Sequence, residues 1–194
     1  MSRASEESIV IEGPCGPLEA LLTRGDVPGL LAVICHPNPV QGGTMHNKVV
    51  HTLMRTARDL GVSTLRFNFR GVGRSQGQFE SGAGELSDAA YVLDYMESLT
   101  ETPRYCWVAG YSFGAWICLQ LLMRRPAIDG FLAISPPANH YDLSFLAPCP
   151  ASGLILSGDQ DKVAPPADIE RSLTKVRVQK GEVISRDTIP GANH

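Results

Sequence analysis

The sequence predicts an α/β fold, with a mostly parallel central sheet and helices on both of its faces. Two observations support this prediction. Short apolar segments of strand length alternate along the chain with longer segments of helical periodicity, a pattern typical of parallel sheets that helices cover. The chain has 194 residues, of which 43% are hydrophobic and 19% charged. Because this length suffices for one well-buried core, a single domain over residues 1–194 is predicted.

Several segments have the length and composition of strands. Leu30–Cys35 is the clearest, because a continuous apolar run that ends in a proline-rich loop suits a strand buried on both faces. The first two strands are joined by a turn over Gly13–Gly16. The predicted strands are Ser8–Glu12, Leu18–Thr23, Leu30–Cys35, Val62–Phe67, Tyr105–Ala109, Ile128–Ile134, Gly153–Ser157 and Glu182–Thr188.

Other segments have the periodicity or composition of helices. The predicted helices are Asn47–Leu60, Gly84–Leu99, Ser112–Arg125 and Ala167–Val176. The apolar stripe of the first helix consists of Val50, Leu53, Met54 and Ala57, and that of the second consists of Leu86, Ala90 and Leu93. Gly61 marks the C-terminal end of the first helix. The third helix is nearly all apolar, so we expect it in the centre of the molecule.

Charge and hydropathy exclude some classes of partner. The net charge is -3 and the basic residues are scattered, so neither a nucleic acid nor a membrane surface is an expected partner. No segment approaches the ~20 apolar residues that cross a bilayer. The segment Met1–Glu12 contains Glu6 and Glu7 and no long apolar block, so it does not resemble a signal peptide. A cytoplasmic location is therefore expected.

The cysteines and histidines do not predict a metal site or a disulfide framework. The number of cysteines, five, is odd, and no CxxC pair occurs. Cys35, Cys106 and Cys118 lie in apolar runs, where a free cysteine behaves as a small hydrophobic residue. The spacing of His36, His46 and His51 does not match a metal-ligand pattern. No metal and no cofactor are predicted.

Gly110–Gly114 has the pattern G-x-S-x-G, directly after a predicted strand and at the start of an apolar helix. In this setting the serine lies on a sharp turn that exposes its hydroxyl. The residues two before and two after it crowd together, and Gly110 and Gly114 have the required small size. The helix N-terminus also favours developing negative charge. Ser112 is therefore the candidate nucleophile. The alternative, a glycine-rich nucleotide-binding turn, lacks the GxxxxGK or GxGxxG pattern.

A serine nucleophile needs a base that accepts its proton and a carboxylate that orients the base. In proteins with this serine turn, the acid and then the histidine follow later strands. His194 follows the last predicted strand and is the candidate base. Asp159 and Asp161 follow strand Gly153–Ser157, and Asp142 lies in the preceding loop. On these grounds the acid stays open among the three aspartates.

An acyl-transfer site also needs hydrogen-bond donors for the developing oxyanion. The N–H of Phe113, the residue after the nucleophile, is the first candidate. The second comes from the loop after strand Leu30–Cys35. Pro37 and Pro39 have no N–H, so Asn38 between them is the natural donor.

Four segments together resemble the small bacterial α/β-hydrolases related to carboxylesterases and dienelactone hydrolases. These segments are Cys35–Val50, Arg66–Ser75, Gly110–Gly114 and Gly158–Val163. The resemblance covers nearly the whole chain and implies the α/β-hydrolase fold, with the triad Ser112, Asp161 and His194. It also implies hydrolysis of an ester or similar acyl bond without a cofactor. Ser135–Pro150, where larger relatives insert a lid, is short, which implies little or no lid.

The expected activity is that of a carboxylesterase, which forms an acyl-enzyme from a small-molecule ester, in a monomer or homodimer. Two alternatives stay open. The same triad serves acyltransferases and peptidases or amidases, because the shape of the pocket selects the acceptor. The other alternative is a non-catalytic binding protein with this fold. Its best support is that such relatives continue past the histidine into a closing helix, which the 194 residues do not include.

Arg66, Arg70 and Arg74 form a regularly spaced basic group. They could bind an acidic group of the substrate, but arginine clusters are more often structural ion pairs. We expect structural partners among Glu80, Glu85 and Asp88.

Overall fold

An eight-stranded sheet forms the centre of the protein in a computed structural model that describes residues 6–194. The strand order is β1-β2-β4-β3-β5-β6-β7-β8, and every neighbouring pair from β4 to β8 is parallel. The pairs β1–β2 and β2–β4 are antiparallel. The predicted mostly parallel sheet is therefore confirmed. Residues 1–5, part of the segment compared above with a signal peptide, lie outside the described residues.

The observed elements follow the predicted order, and most boundaries differ by one or two residues. The strands are β1 (Glu6–Gly13), β2 (Gly16–Thr23), β3 (Leu30–Cys35), β4 (Ser63–Phe67), β5 (Tyr105–Tyr111), β6 (Gly130–Ile134), β7 (Ser152–Gly158) and β8 (Ile184–Ile189). The helices are α1 (Lys48–Asp59), α2 (Ala83–Ser98), α3 (Phe113–Leu122) and α4 (Pro166–Leu173). Among residues 6–194, no helix is long and apolar enough to cross a membrane.

Helices cover both faces of the sheet. Helix α1 packs through Val50 and Met54 against Ile34 of β3 and Ala109 of β5. Helices α2, α3 and α4 contribute to the larger core on the opposite face, which centres on the aliphatic and aromatic side chains of β3 to β7. Beside α1 the sheet face forms an apolar groove of about 950 Å³ that reaches His194.

Helix α3 is the central helix that its composition predicts. Eight of its residues are buried, from Phe113 to Leu122. It ends at Leu122, before the predicted Arg125, and Pro126 disfavours helical backbone at Arg125 itself. The helix begins at Phe113, directly after Ser112, within one residue of the predicted start.

The predicted stripe of α2 lies on the core side of the helix: Leu93 is buried, and Leu86 and Ala90 are partly buried and pack against the core. The buried side of the helix also includes two carboxylates, Glu85 and Asp88, both fully inaccessible. A search for apolar periodicity misses them, because it assigns charged residues to the solvent side.

Asp88 is buried because it binds Arg70, which is itself 3% exposed. Its carboxylate accepts hydrogen bonds from the Arg70 main-chain N–H at 3.0 Å and from the guanidinium at 2.7 Å. Glu80 accepts a further bond from the same guanidinium at 2.6 Å. Glu85 has no arginine partner within residues 6–194; it accepts from the N–H of Gly82 at 2.7 Å and so caps α2.

The other two arginines have acidic partners that the sequence did not indicate. Arg66 donates to the main-chain oxygen of Met45 at 2.7 Å and pairs with Glu6. Arg74 pairs with Glu19 of β2 at 3.1 Å. All three arginines thus have structural partners within the fold.

We expect Asp88→Ala to lower the free energy of unfolding by about 3 kcal/mol, because it removes the buried partner of a buried guanidinium. Asp94→Ala is the matched control on the same helix. Asp94 pairs with Arg125 at the surface, at 2.8 Å, and its loss should cost less than about 1 kcal/mol. Urea unfolding measures both changes, and equal losses in the two variants would contradict the role given to Asp88.

Candidate active site

Ser112 lies between β5 and α3 with φ of 55° and ψ of -121°. This left-handed backbone is costly for a residue with a side chain. The surrounding chains hold it: the Ser112 N–H donates to the main-chain oxygen of Ile134 in β6 at 2.8 Å. A strand-to-helix turn of this shape directs the serine hydroxyl away from the sheet.

The two glycines of the motif are required by close approach of backbone. A Cβ at Gly110 would lie 2.3 Å from the main-chain oxygen of Gly114. A Cβ at Gly114 would lie 2.4 Å from the main-chain oxygens of both Cys35 and His36. The second contact also brings the loop after β3 directly against the turn that holds Ser112.

The structure brings Ser112, His194 and Asp161 into one hydrogen-bonded chain. The Oγ of Ser112 lies 2.9 Å from Nε2 of His194. The Nδ1 of His194 lies 2.8 Å from Oδ2 of Asp161. The side chain of Asp161 is fully inaccessible and that of His194 is 19% exposed. The ring of His194 is thus partly accessible to a substrate, whereas the carboxylate of Asp161 is shielded from water.

The loop after β7 holds Asp161 as a carboxylate. Burial alone would raise its pKa, but several hydrogen bonds outweigh burial and hold the pKa below the ordinary value. The donors that lower the pKa are the N–H of Ala164, at 2.8 Å from Oδ1, and the side chains of His194 and Ser135. The N–H of Val163 also donates to Oδ1, at 2.9 Å. Because Oδ1 is occupied by the loop, Oδ2 is the oxygen that faces the histidine.

The two alternative aspartates have other partners. Asp159 accepts from the N–H of Gly191 at 2.7 Å and so supports the loop that precedes His194. Asp142 accepts from the N–H of Ser144 at 2.9 Å, in a local turn. Of the three candidates that the sequence left open, Asp161 is the one that the structure places at His194.

Asn38 and Phe113 lie on the two backbone segments that meet at the serine turn. Within residues 6–194, neither main-chain N–H has a hydrogen-bond acceptor. Asn38 caps a 3₁₀ turn, Pro39–Gln41, and its side chain accepts from the N–H of Val40 at 2.9 Å. Two N–H groups that lack acceptors beside a serine are available to an oxyanion.

Sequence reasoning missed the part that His36 plays in this loop. The ring is fully buried. Its Nδ1 lies 2.7 Å from the main-chain oxygen of Pro37, and its Nε2 accepts from the N–H of Phe69 at 3.0 Å. Burial lowers its pKa to about 4, so the ring is neutral at pH 7. His36 therefore ties the backbone next to Asn38 to the segment after β4.

The described part of the chain contains no group of histidine, cysteine and acidic side chains arranged to hold a metal ion. The five cysteines are free, and Cys15 is the exposed one. Between β6 and β7 the chain forms one 3₁₀ turn, Ser144–Leu146, so no lid domain covers Ser112 within residues 6–194.

Fold and site together define a small serine hydrolase of the α/β-hydrolase class. A family model described as X-Pro dipeptidyl-peptidase (S15 family) matches residues 31–182. The chain belongs to this family of α/β-hydrolases. It is also 42% identical over 191 residues to an uncharacterised protein of Rickettsia prowazekii, a match that covers 96% of this chain and 80% of the relative.

Three solved structures support the same assignment. A protein of unknown function from Agrobacterium tumefaciens, described as a candidate α/β-hydrolase, is 53% identical to this chain, with a TM-score of 0.89. The match covers 97% of this chain and 87% of the Agrobacterium chain. An α/β serine hydrolase homologue from Coxiella burnetii is 35% identical, with a TM-score of 0.89. The match covers 100% of this chain and 91% of the Coxiella chain. A serine hydrolase without a lid from Xanthomonas campestris is 31% identical, with a TM-score of 0.86. The match covers 100% of this chain and 88% of the Xanthomonas chain.

The burial of His36 predicts a pH dependence of stability. The folded pKa of about 4 lies below the ordinary 6.5, so the unfolded chain binds the proton first as the pH falls. The contribution of His36 to stability is complete above pH ~6.5 and decreases towards pH ~4. Between pH ~7 and ~4.5 this group should cost about 2–3 kcal/mol of unfolding free energy.

His36→Gln should reduce the stability difference between the two pH values by that amount, as measured by urea unfolding at each pH. His51→Gln, at an exposed position of α1, is the control and should leave the difference unchanged. The same pH dependence in His36→Gln as in the wild type would show that the histidine is not the group responsible.

Proposed function

We propose that the protein hydrolyses a small-molecule ester through a Ser-His-Asp triad and an acyl-enzyme intermediate. The observation that carries this proposal is the hydrogen-bonded chain from Ser112 Oγ to His194 Nε2 and from His194 Nδ1 to Asp161 Oδ2. This arrangement gives the serine a proton acceptor and gives the acceptor a fixed orientation.

In the proposed reaction, Ser112 Oγ attacks the acyl carbon while His194 Nε2 accepts the hydroxyl proton. The negative charge that develops on the carbonyl oxygen is held by the N–H groups of Asn38 and Phe113. His194 then donates its proton to the departing alcohol, which leaves an ester between the acyl group and Ser112. A water molecule attacks this ester with His194 again as base, and the acid product and free Ser112 result.

Asp161 acts on the histidine in both halves of the reaction. Its carboxylate accepts the Nδ1 hydrogen, so Nε2 carries the lone pair that faces Ser112. Because hydrogen bonds hold the pKa of Asp161 below its ordinary value, the carboxylate stays ionised at neutral pH and stabilises the imidazolium form of His194. Each of the two oxyanion donors should be worth about 10²–10³ in rate.

The family description favours one second candidate, cleavage of a peptide bond after an X-Pro pair. The same groups would act, with His194 protonating a leaving amine instead of an alcohol. Assays of a panel of acyl methyl esters beside X-Pro p-nitroanilides separate the two activities. Turnover of the esters supports the first proposal, and turnover of the X-Pro amides alone would replace it with the second. Formation of a transfer product with an added alcohol would instead indicate an acyltransferase.

Asp161→Asn should lower kcat for ester hydrolysis by about 10⁴-fold, because the amide favours the wrong histidine tautomer while the geometry is retained. Asp159→Asn is the matched control, since Asp159 lies in the same loop and its Oδ1 accepts from Gly191. We expect it to change kcat by less than about 3-fold.

Steady-state kinetics on both variants and on Ser112→Ala measure these effects. A large loss in the Asp159 variant with little loss in the Asp161 variant would reverse the assignment of the acid. Full activity in Ser112→Ala would remove the proposed mechanism altogether.

A further inference from the structure

Phe113 links the serine turn to a cluster of aromatic side chains. Its N–H is one of the proposed oxyanion donors, and its own ring is 1% exposed. Ring centroids of Phe79, Trp116 and Tyr141 lie 5.7, 5.6 and 6.3 Å from that of Phe113. The cluster therefore lies directly beside the backbone that would hold the reacting carbonyl.

Two of these rings are stacked. The rings of Trp116 and Tyr141 lie 3.9 Å apart with an interplanar angle of 15°. Gly82 makes room for the indole, since a Cβ there would lie 2.4 Å from the six-membered ring of Trp116. Three separate segments thus position the pair: the loop before α2, the helix α3 and the loop after β6.

The pair is one helical turn from the nucleophile. The main-chain N–H of Trp116 donates to the main-chain oxygen of Ser112 at 3.2 Å. Side chains on a helix lean towards its N-terminus, so the indole of Trp116 extends back towards the level of Ser112. Both Trp116 and Tyr141 are only partly buried, and so is Phe79. Accessible aromatic surface thus lies beside the serine turn.

We propose that the stacked pair of Trp116 and Tyr141, with Phe79, binds a planar aromatic group on the acyl side of the substrate. The proposal rests on the proposed esterase function and adds the substrate class. An aromatic ring gains more than a saturated ring of equal size from such a surface, because edge-to-face and offset contacts use the ring quadrupoles. Arylacetic and similar aryl-substituted esters are the substrates that this surface fits.

The test compares two esters that differ only in the ring, methyl phenylacetate and methyl cyclohexylacetate, by pH-stat titration. The wild type should prefer the phenyl ester in kcat/KM by about 3- to 10-fold. Trp116→Leu should remove this preference, with the loss confined to the phenyl ester, and Trp116→Phe should retain most of it. Tyr91→Leu is the control, because Tyr91 is an aromatic residue on the exposed side of α2, with 48% of its surface accessible.

Calorimetric binding of phenylacetate and cyclohexylacetate to Ser112→Ala, with and without Trp116→Leu, separates the substrate class from the reaction. Tighter binding of phenylacetate that Trp116→Leu abolishes supports the aromatic site. Equal effects of Trp116→Leu on the two rings, or an effect no larger than that of Tyr91→Leu, would overturn it. Failure of the wild type to hydrolyse either ester would contradict the proposed function, and the calorimetry alone would then decide the aromatic site.

Discussion

The left-handed backbone of Ser112 is the constraint around which the site is arranged. A φ of 55° at a serine costs on the order of 1–3 kcal/mol, so neighbouring chains have to hold it in place. They do so from both sides. The main-chain oxygen of Ile134 in β6 accepts a hydrogen bond from the Ser112 N–H, and the main-chain oxygens of Cys35 and His36, at the end of β3, lie so close to Gly114 that a Cβ there would clash with them. The same contacts fix the distance between the serine turn and the loop that carries Asn38.

The parallel sheet explains how distant residues meet at this turn. The carboxyl ends of parallel strands share one edge of the sheet, and the loops that follow them lie side by side. Asp161 follows β7 and His194 follows β8, although Ser112 and His194 are 82 residues apart in the chain. Gly158, at the end of β7, allows the approach, since a Cβ there would lie 2.2 Å from the main-chain oxygen of Ala192.

The sequence predicted those features that local periodicity and steric demand determine. The bounds of β3 are as predicted, and the serine turn lies between the predicted strand and helix. What it could not predict depends on contacts between distant segments. The burial of Asp88 on α2 depends on Arg70. The residue pattern alone left Asp161 and Asp159 open, and the resemblance to α/β-hydrolases supplied Asp161, which the structure places at His194. The link that His36 makes between the loop after β3 and the segment after β4 depends on the N–H of Phe69, which donates to the His36 ring. The cytoplasmic location and the monomeric or homodimeric state stay predictions.

The central claim is that Ser112 is an activated nucleophile, and reaction with a fluorophosphonate probe followed by peptide mass spectrometry tests it most directly. This chemistry labels a serine whose hydroxyl has a base and an oxyanion site, whatever the natural substrate. We predict one labelled residue, Ser112, and no label in Ser112→Ala. A folded wild-type protein that stays unlabelled, or that carries the label on another residue, would contradict the account.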